Sequence, residues 1–188
     1  MFLKRLGAAI IVNAMIAGAA LAQTSVSYDG TNDPGDGSWD RPIAGGPAIS
    51  GLGPVQFSVQ AFTTDTTDIY DLSSVQDYDG YIHLYAGSFD PTDQLTNLID
   101  GDDDGDGGIG TSDLDAVSLT AGVVYFLVTS AFAAGDVGTF TNTIESLNFD
   151  AVITLLDGSA NVIPLPAAFP LFLAGLAGLG VARRRKTA

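Results

Sequence analysis

The run Ala116-Val117-Ser118-Leu119-Thr120-Ala121-Gly122-Val123-Val124-Tyr125-Phe126-Leu127-Val128 decides the fold. Its first four residues alternate apolar and polar, the period of a half-buried strand. Thr120-Ala121-Gly122 reads as a turn. Val123 to Val128 is then an unbroken apolar run rich in β-branched and aromatic side chains. Such a run predicts a central strand covered on both faces.

Outward from this pair the same grammar repeats. Upstream, Val55–Ala61 alternates strictly, Ile69–Leu72 is a weaker strand, and Tyr81–Ala86 alternates with Ile82 and Leu84 inward. Downstream, Thr139–Ile144 places threonines on one face, and Ala151–Leu156 is the last strand. Clusters of Gly, Pro, Asp and Asn separate these runs. No stretch of the middle carries a helical period. The expectation is an all-β fold, a two-sheet jelly-roll-like sandwich of short strands over residues 55–160. Residues 23–54 are dense in turn formers and read as an irregular lead-in segment, with Trp39 and Pro42 anchoring it to the body.

The chain has 188 residues, enough for one ordinary domain. It holds 7 Lys and Arg against 22 Asp and Glu. Lys4 and Arg5 stand at the start, Arg183, Arg184, Arg185 and Lys186 at the end, and Arg41 alone in between. All acids lie between Asp29 and Asp157. A body of that charge excludes nucleic acid as a partner and most phosphate chemistry. The absence of Cys excludes disulfides, thiolate nucleophiles and Cys-based metal sites. The single histidine, His83, excludes any site that needs two imidazoles, and its place between Tyr81 and Tyr85 predicts a surface position.

Both ends read as addresses. Residues 1–22 combine a basic start, an apolar run from Leu6 to Ala19, and a small-x-small cleavage site at Ala20 and Ala22. That is the pattern of a secretory signal peptide, removed by signal peptidase after engagement of the secretion machinery. At the other end, residues 161–188 hold a proline-rich stretch, an uncharged run from Leu165 to Ala182, and the basic tail 183–186. A transmembrane helix over about 167–182 is expected, since the eighteen uncharged residues would rise roughly 27 Å as a helix. Arg183, Arg184, Arg185 and Lys186 would then act as a stop-transfer anchor on the cytoplasmic side.

One constellation carries chemistry. Asp102-Asp103-Asp104-Gly105-Asp106-Gly107-Gly108-Ile109-Gly110-Thr111-Ser112-Asp113 has the spacing of a twelve-residue calcium loop. Asp102, Asp104 and Asp106 would offer carboxylates, Gly108 its carbonyl, and Asp113 the closing carboxylate. Calcium takes six to eight hard oxygens, and a loop of this grade binds it at about 10⁻⁴–10⁻³ M. The spacing is similar to a dockerin half-site. Asp rather than Glu at the last position, and a strand rather than a helix after it, leave the loop geometry but not the dockerin function. A solvated acidic turn between two strands is the alternative.

Two resemblances attach to these residues. Ile163, Pro164, Leu165, Pro166 and Ala167, followed by Phe172–Val181 and Arg183–Lys186, resemble the VPLPA-CTERM sorting signal of the PEP-CTERM/exosortase family. Ile163 stands where that motif has Val. The resemblance implies an exosortase-type membrane peptidase that processes the protein near the motif. It also implies transient anchoring in the inner membrane of a Gram-negative cell, then a place on the cell surface or outside it. An exopolysaccharide or biofilm setting follows from the same family. The second resemblance covers roughly residues 55–145. Asp79–Tyr85, Ser88–Pro91, Asp102–Gly105, Leu119–Val128 and Gly135–Thr141 look like a bacterial pre-peptidase C-terminal (PPC) domain. That family implies a non-catalytic β-sandwich that aids secretion or binding.

The expected function is therefore a non-enzymatic exported surface or matrix protein, stabilised by calcium. Contact with extracellular polysaccharide would need bridging divalent cations, because the acidic body repels acidic glycans. The alternatives are a small secreted glycosidase or other hydrolase using paired Asp, and a permanently membrane-anchored structural protein. Tyr70, Tyr78, Tyr81 and Tyr85 could form a sugar-stacking face or be ordinary strand residues.

Overall fold

A computed structural model describes residues 24–43, 46–148 and 150–157. The signal-peptide residues, Ala20 and Ala22 included, and the whole sorting signal from Ile163 to Lys186 lie outside the described residues. No helix among the described residues is long and apolar enough to cross a membrane.

The described chain is all-β, in two antiparallel sheets. Its strands are β1 (Ser25–Thr31), β2 (Gly37–Trp39), β3 (Val55–Thr64), β4 (Asp68–Gln76) and β5 (Gly80–Ala86). They continue as β6 (Leu98–Asp102), β7 (Thr111–Leu119), β8 (Val124–Ala131), β9 (Thr139–Ser146) and β10 (Ile153–Leu155). One sheet runs β1-β9-β4-β7; the other runs β10-β3-β8-β5-β6, with β2 also on β3. The apolar run at Val124–Val128 lies in β8, between β3 and β5. Both of its faces are covered, because a side chain on either face of a central strand meets another layer.

Alternation sets two cores. Phe62, Ile82, Leu84, Tyr125 and Leu127 point from the six-stranded sheet to Tyr70, Leu72, Leu114, Leu119 and Ile144 of the four-stranded one. The opposite face of the six-stranded sheet carries Phe57, Val59, Tyr85, Phe126 and Val128, and these pack with Trp39 and Phe89. Trp39 sets its indole edge-on to Phe89, with ring centroids 5.4 Å apart. A polar link crosses between the sheets, where the buried Asn142 amide donates to Thr129 Oγ1 at 2.7 Å and to the Tyr28 hydroxyl at 2.9 Å.

Three strands depart from the sequence reading. β1 and β2 lie inside the stretch expected to be an irregular lead-in, and β6 lies where no strand is expected from the pattern. β1 (SVSYDGT) and β6 (LIDGD) each contain Asp-Gly, a turn signal, and both are edge strands. Edge strands are held on one side only and tolerate polar residues that central strands reject. Trp39 and Pro42 are buried, as the anchoring role requires.

Candidate functional site

The Asp-rich loop joins β6 to β7 and closes on itself. Asp102 Oδ2 accepts the Asp113 N–H at 2.8 Å, and Asp113 Oδ2 accepts the Asp106 N–H at 3.2 Å. The Gly108 carbonyl accepts from the Thr111 N–H at 3.0 Å and the Thr111 hydroxyl at 2.8 Å. Gly105 lies hard against the Asp113 carboxylate, leaving no room for a side chain. Asp102, Asp113 and Gly108, three of the five expected ligands, thus supply oxygens that tie the turn together.

The carboxylates that do converge are Asp79, Asp103 and Asp104, with one oxygen from each within 4.8 Å of the others. Of the expected ligands only Asp104 belongs to this group. Asp79 comes from the turn between β4 and β5. The pairing of Ile82 with Asp102 brings the ends of β5 and β6 together, and with them Asp79, Asp103 and Asp104. Nothing in the local spacing marks Asp79, because the signal is the register of an edge strand that the pattern does not show.

Electrostatics sets this group apart. Burial, reinforced by the Asp104 charge, pushes the Asp103 carboxyl up from 3.8 to about 6. Asp103 Oδ1 is buried without a hydrogen-bond partner. Burial, then the Asp136 and Asp104 charges, raise Asp79 as well. Arg41 acts in the opposite direction on both. Its guanidinium is the one arginine or lysine charge among the described residues, and it is itself buried. Nε and Nη2 donate to the Phe132 carbonyl at 3.0 and 2.7 Å, and Nη1 donates to the Pro42 carbonyl at 3.2 Å. The same group lies 4.1 Å from the Tyr81 ring centre. A cavity of about 280 Å³ adjoins it, lined in part by Asp103, Tyr81 and Leu52.

Three crowded carboxylates with one neighbouring cation can lower their repulsion in two ways. They can share a proton, or they can hold a divalent ion through hard oxygens. Asp103→Asn removes one of the three charges. Screening of this partly exposed group reduces its penalty to on the order of 1 kcal/mol. The variant is expected to melt about 3 °C above the wild type at pH 7 without divalent ions. A raised carboxyl costs stability above its folded pKa and stops doing so as pH falls to the ordinary value. The gain should therefore shrink from about pH 6 downward and vanish near pH 4. A thermal melt series from pH 4 to 8 checks this, and an equal gain at every pH overturns it.

His83 corrects the surface position expected of it. It is fully buried, stacked 4.6 Å from Tyr81 and edge-on to Trp39 at 5.2 Å. Its Nε2 lies 3.1 Å from the Pro42 carbonyl. Alternation correctly sends Ile82 and Leu84 to one face and His83 to the other, but the second face is covered by Trp39, Arg41 and Pro42. Neither do the tyrosines form one exposed face. Tyr70 belongs to the core between the sheets, and Tyr81 and Tyr85 are buried on the opposite side of their sheet.

No family model, curated protein or solved structure matches the chain.

Proposed function

We propose that the chain is a non-enzymatic exported protein of a Gram-negative cell surface or extracellular matrix, delivered through a C-terminal exosortase-type sorting signal. The observation that carries this reading is the division of charge. One arginine accompanies 22 acids in the body, and every other basic residue sits in the first five or the last six positions. Basic flanks outside two apolar runs are what leader and stop-transfer segments require. The body is read as a jelly-roll-like sandwich of the PPC type. It lacks cysteine, so its cohesion outside the cell rests on its two cores and on bound cations rather than on disulfides. His83, sealed beneath Trp39, offers no proton transfer to a substrate in solution. Asp79, Asp103 and Asp104 are the residues that would hold calcium, with carbonyls and water completing its shell.

The test is fractionation of cells expressing the full chain, with mass spectrometry of both termini. The expected species begins at Gln23, ends near Ile163–Ala167, and is recovered outside the inner membrane. Full-length chain with both ends intact in the soluble interior overturns the export reading. An exported chain that keeps Arg183–Ala188 overturns the processing step. The calcium assignment is read separately. Millimolar calcium against EDTA should raise the melting temperature of the wild type and leave Asp103→Asn unmoved. No shift in the wild type removes the ion from the reading.

A further inference from the structure

Five of the nine exposed large apolar side chains among the described residues gather on one side, while Val75, Ile109, Val137 and Val152 lie elsewhere. Ile43, Ile49, Leu52, Leu95 and Ile99, each 38–47 % exposed, all lie on the segments covering the outer face of the six-stranded sheet or on its β6 edge. They flank two cavities. One, of about 430 Å³, is lined by Gly46 and Pro47 against Leu95, Leu98 and Ile99. The other is the 280 Å³ cavity beside Arg41, which Ile43 and Leu52 help to line. A clustered apolar patch of this kind on a soluble domain marks a surface that meets something less polar than water.

The course of the chain says what that is. The Leu156 N–H donates to the Ala61 carbonyl at 2.9 Å, and the Leu156 carbonyl accepts from Gln60 Nε2 at 2.9 Å. The Leu156 side chain packs with the Trp39 and Phe57 cluster. The described chain therefore ends on the same outer face as the patch. Only residues 158–166 separate Asp157 from the apolar segment that begins at residue 167. Fully extended, those nine residues span at most about 30 Å. The sheet is roughly 19 Å wide from β10 to β6.

We infer that this outer face, through Ile43, Ile49, Leu52, Leu95 and Ile99, lies on the surface of the bilayer that holds the chain's own C-terminal helix. The inference rests on the membrane-anchored stage of the proposed function. A tether this short supplies an effective concentration on the order of millimolar, so a contact too weak to recruit a free domain suffices. Asp100 and Asp103 at the cavities set the lipid preference. They are repelled by anionic headgroups, so the contact favours zwitterionic lipid.

The full chain, free of cysteine, allows single thiols to be placed at will. Leu52→Cys, Ile99→Cys and, as a control, Val75→Cys are labelled with an environment-sensitive fluorophore. Val75 is 62 % exposed and lies on the four-stranded sheet, away from the patch. Each labelled chain is reconstituted in phosphatidylcholine vesicles carrying nitroxide-labelled lipid. Quenching at positions 52 and 99 should be several-fold stronger than at 75. Vesicles that float with bound protein but quench all three labels equally, or quench neither 52 nor 99, overturn the docking and leave the anchor standing. A chain that does not float with vesicles overturns the anchor, and the docking with it.

Discussion

His83→Phe should be less stable than the wild type at pH 7 and more stable at pH 4. Burial holds the His83 imidazole far below its ordinary 6.5, at about 3, with the Arg41 charge acting in the same direction and the Pro42 carbonyl opposing. In the unfolded chain the ring takes up a proton below about 6.5, whereas in the folded chain it stays neutral until about 3. Stability carried by the neutral ring is thus complete above 6.5 and is lost as pH falls. Each pH unit below 6.5 removes about 1.4 kcal/mol, so about 3 kcal/mol has gone by pH 4. Phenylalanine keeps the ring against Tyr81 and Trp39 but cannot bond the Pro42 carbonyl, which costs about 1 kcal/mol at neutral pH. The raised carboxyls of Asp103 and Asp79 work the other way in the same window, and they are unchanged in the variant. Denaturant melts at pH 7 and pH 4 should therefore cross. Parallel curves would mean that His83 titrates normally and is not sealed.

Arg41→Met should lower stability by about 3–5 kcal/mol at pH 7, the loss typical of breaking a buried, hydrogen-bonded charge. The guanidinium makes two bonds to Phe132 and one to Pro42, and methionine makes none. The Phe132 carbonyl loses both of those partners, and the Tyr81 ring loses its cation. Asp79 and Asp103 lose the positive charge that offsets their crowding, so their carboxyls rise further. Acid should therefore narrow the gap between variant and wild type. The loss at pH 5 is expected to be smaller than at pH 7, because the carboxylates left without a counter-charge take up protons and the Arg41 field no longer opposes His83. A loss that is the same at both pH values would assign Arg41 a packing role alone. Thermal melts at the two pH values, in EDTA, decide the matter.

These two side chains show how far the sequence could be followed. The alternation of Tyr81–Ala86 is plain, and it sorts Ile82 and Leu84 from His83 correctly. It leaves open what lies over the second face, because the covering residues Trp39, Arg41 and Pro42 come from forty positions upstream. Arg41 stands out in the sequence only as the lone cation of the middle. Its role as the buried neighbour of Asp79 and Asp103 appears once the lead-in segment crosses the sheet. The loop spacing and the oxygens that converge differ, and Asp104 alone is common to both. Asp102 and Asp113 turn inward to bond backbone amides, since a tight turn must satisfy its own N–H groups before it can serve a ligand.

The sequence by itself determined the all-β class, the central place of Val124–Val128, and the concentration of acid on the body, because periodicity and composition are local properties of the chain. Only the tertiary structure decided which face of β5 is sealed, which carboxylates meet, and where the apolar patch lies relative to the end of the chain. Those depend on strand register and on the path of irregular segments. Both are set by contacts between residues far apart in sequence, which no window of neighbouring residues contains.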